Sequence, residues 1–106
     1  MIIKYTAIFL KDIKALMKKY PSVGADLEAL GERLLNDPQQ GDSIGKSCYK
    51  VRFAISSKNT GKRNDSRIIT CVKIENDTIH LLAAYEKGER GTIKGKALDN
   101  LLKQIE

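Results

Sequence analysis

The hydrophobic period of this chain changes between its two halves, and that change limits what it can fold into. Between Phe9 and Leu34 apolar residues recur every three or four positions; between Tyr49 and Val72 they alternate. Spacing of the first kind gathers apolar side chains on one face of a helix, and alternation does so only on an extended strand. The first half therefore reads as two helices. Phe9, Ile13, Leu16, Met17 and Tyr20 form one stripe, with Lys11, Lys14, Lys18 and Lys19 off it. Pro21 ends that helix, because the residue before a proline is pushed out of the α region. Ser22 stands where an N-cap would open a second helix. Val23, Leu27, Leu30 and Leu34 make its stripe, and Asp37-Pro38 stops it.

The second half reads as strands. In Tyr49–Ser56, residues Tyr49, Val51, Phe53 and Ile55 face one way, and Lys50, Arg52, Ala54 and Ser56 the other. After the polar insert "SKNTGKRNDS", alternation resumes with Ile68, Thr70, Val72 and Ile74 opposite Arg67, Ile69, Cys71 and Lys73. That insert is longer than a hairpin turn requires, as functional loops often are. The run "TIHLLAAYE" (78–86) has a nearly continuous apolar middle, which suits a central strand buried on both faces. A short β-branched strand at 2–6 opens the chain. A helix over Lys96–Ile105, with Leu98, Leu101, Leu102 and Ile105 apolar, closes it. The order is β-α-α-β-β-β-α: an α+β fold, an antiparallel sheet covered by an N-terminal helical hairpin. At 106 residues, one domain over 1–106 is expected.

Charge is segregated along this frame. The formal net charge is +6; residues 46–73 hold eight Lys and Arg against one Asp, while residues 26–42 sum to −4. A basic segment of this kind is the footprint of a polyanion partner. By composition alone it is equally that of a small domain kept soluble by its cations. No apolar run is long enough to span a bilayer, and the opening residues lack a secretory pattern, so a cytoplasmic location is expected. Cys48, Cys71 and His80 make no zinc-spaced set. The cysteines read as buried thiols and His80, among leucines, as structural; neither metal nor cofactor is expected.

Alternation turns the charge into a candidate site. Lys50 and Arg52 share the face opposite Val51, Phe53 and Ile55, and Arg67 joins them if it opens the next strand on the same side. An antiparallel meander brings the start of that strand to the end of the following one, adding Tyr85 and Lys87. Lys58, Lys62 and Arg63 of the insert form a rim, and Lys46 precedes the first of these strands. Residue by residue, a solvated strand face is the simpler account; their convergence on one face favours phosphate handling. Cations with a phenol, and with no carboxylate pair, nucleophilic triad or metal cluster, suit phosphodiester cleavage by the strand's own 2′-hydroxyl. That reaction needs positive charge on the phosphorane and groups to move two protons, roles open to a Tyr or Lys of lowered pKa. The residues alone leave a nucleic-acid binder and a metal-free ribonuclease both open.

The ordered series "FLKDIKALMKKYPSV", "DPQQGDSIG", "CYKVRFAI", "GKRNDSRIITCVK" and "IHLLAAYEKGE" resembles the RelE/HigB branch of the RelE/ParE toxin superfamily, from bacterial type II toxin–antitoxin modules. The resemblance runs nearly the whole chain and implies the same β-α-α-β-β-β-α fold. It implies an endoribonuclease (mRNA interferase) that cuts messenger RNA in the ribosomal A site without metal. Carried over by motif, Arg67 and Lys87 act on the scissile phosphate, and Lys50 and Arg52 on phosphate and transition state. Tyr85 matches the "AYxK" ending of HigB-like members, whereas RelE itself has a tyrosine beyond the last strand, where this chain, around Ile93, has none. The implied RNA contacts are Lys46, Lys58, Lys62 and Arg63. The implied partners are the message and a cognate antitoxin with a DNA-binding helix-turn-helix. The competing reading is a ParE-like inhibitor of DNA gyrase, which shares the fold without the basic set; an inactive, purely binding relic is a third.

Overall fold

The computed structural model describes residues 1–57, 66–86, 88, 93 and 95–105. β1 (Ile2–Tyr5) leads into helices α1 (Ala7–Lys19) and α2 (Val23–Asn36). β2 (Asp42–Gly45), β3 (Cys48–Phe53), β4 (Ser66–Lys73) and β5 (Thr78–Glu86) follow, and α3 (Lys96–Leu102) closes the fold with a 3₁₀ turn at Lys103–Ile105. The described strands form one sheet in the order β1-β5-β4-β3-β2.

The helical hairpin covers one face. Phe9, Ile13 and Leu16 of α1 and Val23, Leu30 and Leu34 of α2 meet Val51, Phe53, Ile68, Ile79 and Leu81 in the first apolar cluster, with Leu27, Tyr20 and Tyr49 at its margin. Met17 departs from the expected stripe and is 51% exposed. α1 opens on Thr6, whose side chain accepts the Phe9 amide, and ends on Lys18 and Lys19, cations suited to the negative end of the helix dipole. Ser22 does not cap α2. Its hydroxyl donates instead to the Asp26 carboxylate, 2.6 Å away.

Two features of the sheet differ from the sequence reading. The turn-rich segment before β3 contains an edge strand, β2, paired antiparallel to β3. The tight turn between them places Lys46 (φ 56°) and Ser47 (φ 61°) both in the left-handed region, without the Asn-Gly or Asp-Gly pair that usually marks such a hairpin. β1 runs parallel to its neighbour β5, so the sheet is mixed: only the β2–β5 ladders are antiparallel.

The opposite face carries a second cluster. Cys48, Ile69, Cys71, Leu82, Ala83 and Tyr85 lie under Leu98 and Leu101 of α3, with Leu102 and Ile105 at the margin. β5 contributes to both clusters, as expected for a central strand. Among the described residues no helix is long and apolar enough to cross a membrane.

Candidate nucleic-acid interface

A single extra residue in β5 decides which way Tyr85 points. Against β4, Ile69 pairs with Ala83 and Thr70 with Leu81, so Leu82 is a bulge. Strict alternation from Ile79 would carry Ile79, Leu81, Ala83 and Tyr85 all to the hairpin face. In the structure Ile79, Leu81 and Ala84 belong to the first cluster, and Leu82, Ala83 and Tyr85 to the second. The bulge shifts the phase by one and delivers Tyr85 to the side of Lys50 and Arg52.

Groups from both ends of the chain hold this irregularity. The Thr6 hydroxyl lies 2.9 Å from the Leu81 carbonyl oxygen and 3.2 Å from that of Leu82, donating between them. The Asp12 carboxylate accepts the Ala84 amide at 3.0 Å, and Gln104 Nε2 donates to the Leu82 carbonyl at 3.4 Å. A disrupted ladder leaves backbone groups that need such partners when buried.

Register then assembles a row across three strands: Arg52 of β3 opposite Arg67 of β4, and Arg67 opposite Tyr85 of β5. The next row on that face is Lys50–Ile69–Ala83. The Val72 amide donates to the Ser47 carbonyl at 3.0 Å, which sets the phase of the unbroken β3–β4 ladder. Cys48/Cys71, Lys50/Ile69 and Arg52/Arg67 are therefore its non-hydrogen-bonded pairs, where side chains approach most closely. Arg52 is exposed, Lys50 and Arg67 are half-buried, and Tyr85 is 5% exposed. Arg67 Nη1 donates to the Ser66 carbonyl at 3.2 Å, and none of Arg52, Arg67 and Tyr85 lacks an interaction partner. Two guanidiniums opposite each other repel, a cost that an anion between them removes.

Neighbouring contacts brace the row. At the end of β5, Glu86 accepts from the Tyr20 hydroxyl at 2.5 Å and from Lys19 Nζ at 2.7 Å, tying the strand to α1. That hydrogen bond, burial and the carboxylate's charge push the Tyr20 phenol upward, so it stays protonated. Beyond β3, the Asp26 carboxylate accepts from the Ser56 amide at 2.8 Å and the Ser56 hydroxyl at 2.5 Å, while Ser22 Oγ accepts the Ser57 amide at 2.8 Å. The chain entering the basic insert is thereby pinned to the start of α2. Sequence inspection missed both networks, because their partners lie 30 to 67 residues apart with no local pattern.

The other expected residues fall elsewhere. Lys46 sits in the β2–β3 turn, ion-paired with Asp99 of α3. It is separated from Arg52 by the length of β3, about 20 Å at the usual strand rise. Lys58, Lys62, Arg63 and Lys87 lie outside the described residues. His80 is on the same face as the row, but between Cys71 and Lys4 at its far end. Burial first, then the charges of Lys4 and Lys73, lower its pKa and keep the imidazole neutral. Among the described residues no group of three His, Cys, Asp or Glu side chains is arranged to hold a metal ion.

The solved structure of a mutant of the E. coli toxin RelE in the free state is similar to this chain. The TM-score is 0.65 at 15% identity, with 99% of this chain and 97% of that chain covered. The fold is RelE-like. No family model matches the sequence, and no curated protein matches it. The RelE-like fold is a statement about overall shape, and the Arg52–Arg67–Tyr85 row one about register.

Proposed function

We propose that this chain is the cytoplasmic toxin of a type II toxin–antitoxin module, a ribosome-dependent endoribonuclease that cuts messenger RNA by 2′-hydroxyl attack. The observation that carries the reading is the Arg52–Arg67–Tyr85 row on a RelE-like fold. In the proposed reaction the 2′-oxygen of one nucleotide bonds to the adjacent phosphorus and loses its proton to a base. The bond to the 5′-oxygen breaks, and that oxygen takes a proton, leaving a 2′,3′-cyclic phosphate and a 5′-hydroxyl. Arg67 and Lys87 hold the scissile phosphate, and Lys50 and Arg52 stabilise the extra negative charge of the phosphorane. Tyr85, fixed by packing beside Arg67, is the candidate for one proton transfer. Lys58, Lys62 and Arg63 extend the contact along the message, and an antitoxin covers the row when the toxin is silent.

The deciding experiment is cell-free translation with the wild type and with Arg67→Ala/Lys87→Ala. The wild type should arrest translation and leave messages cut at codons with cyclic-phosphate ends. The double variant should do neither while unfolding at a similar urea concentration. A gyrase inhibitor would instead spare translation and alter plasmid supercoiling, and that result, or a fully toxic double variant, overturns the proposal.

A further inference from the structure

Cys48 and Cys71 sit far apart in sequence, yet they are register partners across β3 and β4. Both thiols are free and fully buried. Theirs is a non-hydrogen-bonded position, marked by the Val72-to-Ser47 bond beside it. Register partners at such positions have Cα atoms about 4.5 Å apart, inside the span of about 4.4–6.8 Å that a disulfide bridges.

The two thiols are not equivalent. Cys48 Sγ lies between two acceptors for its one S–H, the Lys46 carbonyl oxygen at 3.4 Å and the Cys71 sulfur. Its hydrogen-bonding relation with Cys71, with burial adding, pushes the Cys48 thiol upward. The same relation, helped by the charge of Lys73, lowers Cys71 despite burial. A pair with one thiolate-prone sulfur and one protonated sulfur is the arrangement of an attacking and a resolving thiol.

The pair shares its apolar cluster with Leu98 and Leu101 of α3, and Asp99 of that helix is ion-paired with Lys46 beside Cys48. This helix has seven residues. Its polar fastenings include the Lys46–Asp99 ion pair and, in the 3₁₀ turn that follows, the Gln104 side chain, which accepts the Ile8 amide at 2.9 Å. A short element held by a few surface contacts opens locally at much lower cost than the sheet beneath it.

We propose that Cys48 and Cys71 form a reversible redox pair, closed into a cross-strand disulfide by a low-molecular-weight disulfide when α3 lifts. The Cys71 thiolate attacks one sulfur of the oxidant R–S–S–R and releases RS⁻. The Cys48 thiolate then attacks the Cys71 sulfur of the mixed disulfide and releases a second RS⁻. The protein loses two protons and two electrons, and the oxidant is reduced to two thiols. A separation near the short end of the disulfide range strains the product, so a dithiol readily reopens it. The crosslink would strap the ladder that carries Lys50, Arg52 and Arg67, two residues from Lys50 on the same face.

The test is to incubate the reduced chain with oxidised glutathione, quench it with acid, alkylate it and measure the intact mass and peptide map. The expected product is a monomer lighter by two hydrogens, resistant to alkylation, with Cys48 and Cys71 in one linked peptide that dithiothreitol separates. Cys48→Ala should instead accumulate the Cys71–glutathione mixed disulfide. Leu101→Ala, which loosens the cover, should close the link roughly tenfold faster. Chains that gain glutathione on both cysteines without linking, or only intermolecular dimers, overturn the proposal. So does a lack of reaction in both the wild type and Leu101→Ala. None of these readouts depends on ribonuclease activity.

Discussion

Arg52 and Arg67 face each other across β3 and β4 at a position where cross-strand side chains come closest. Like charges placed directly opposite in a sheet oppose folding. Arg52→Gln removes that repulsion together with the partner Arg52 has, so the urea midpoint should move little. On the proposed function it should also cut message cleavage at least roughly tenfold, the equivalent of ~1.4 kcal/mol of lost transition-state binding. A variant that loses stability instead would show that the pair is structural.

Thr6 serves two structures at once, capping α1 through the Phe9 amide and donating to the carbonyls of the β5 bulge. Thr6→Val keeps the shape and removes both functions. It should cost about 1–2 kcal/mol, the upper part of the range for a lost cap, whereas Thr6→Ser should retain most of the stability. Urea unfolding of the three proteins checks the order.

Asp26 gives the fold an acid sensitivity with a defined sign. Burial alone would raise its pKa, but hydrogen bonds from Ser22 and Ser56 outweigh this and lower it. A carboxylate with a depressed folded pKa adds stability above its unfolded value, about 3.9, and loses it as pH falls through the lower folded one. Asp26→Asn should be less stable than wild type at pH 6, and the gap should narrow by pH 3. Urea midpoints at the two pH values measure it.

Gly41 is held against the backbone of β3. Its φ is +96°, and a Cβ there would stand 2.5 Å from the Lys50 carbonyl oxygen. Gly41→Ala carries a left-handed penalty of about 1–2 kcal/mol and must also displace backbone. At Gly45 (φ +91°) a Cβ meets nothing within 4 Å, so Gly45→Ala should cost only the conformational part. Comparing the two by chemical denaturation separates strain from collision.

Much of this architecture was legible because burial imposes a period. The stripe on α2, the inward Val51, Phe53 and Ile55, and the two-faced β5 each follow from apolar side chains needing one side to share. Other features had no local sign. β2 is four residues at a sheet edge, closed by a Lys-Ser turn that carries no glycine at its centre. The Leu82 bulge hides inside an unbroken apolar run, where alternation cannot be counted. Its place at the strand end puts Tyr85 with the cations, but the side it faces depends on that bulge. Cys48 and Cys71 looked isolated because proximity across a ladder is a property of register, not of spacing along one strand.

The parallel pairing of β1 with β5 has a consequence for how the chain comes into being. Thr6 finds its partner at Leu81, 75 residues later, so among the described strands the first one made has no neighbour until β5 emerges. Ordering contacts that distant is slow relative to local helix formation. β5 is also the strand that carries Tyr85. Closing the sheet on the N-terminal strand and completing the Arg52–Arg67–Tyr85 row therefore await the same strand, and a nascent chain truncated before Thr78 can do neither.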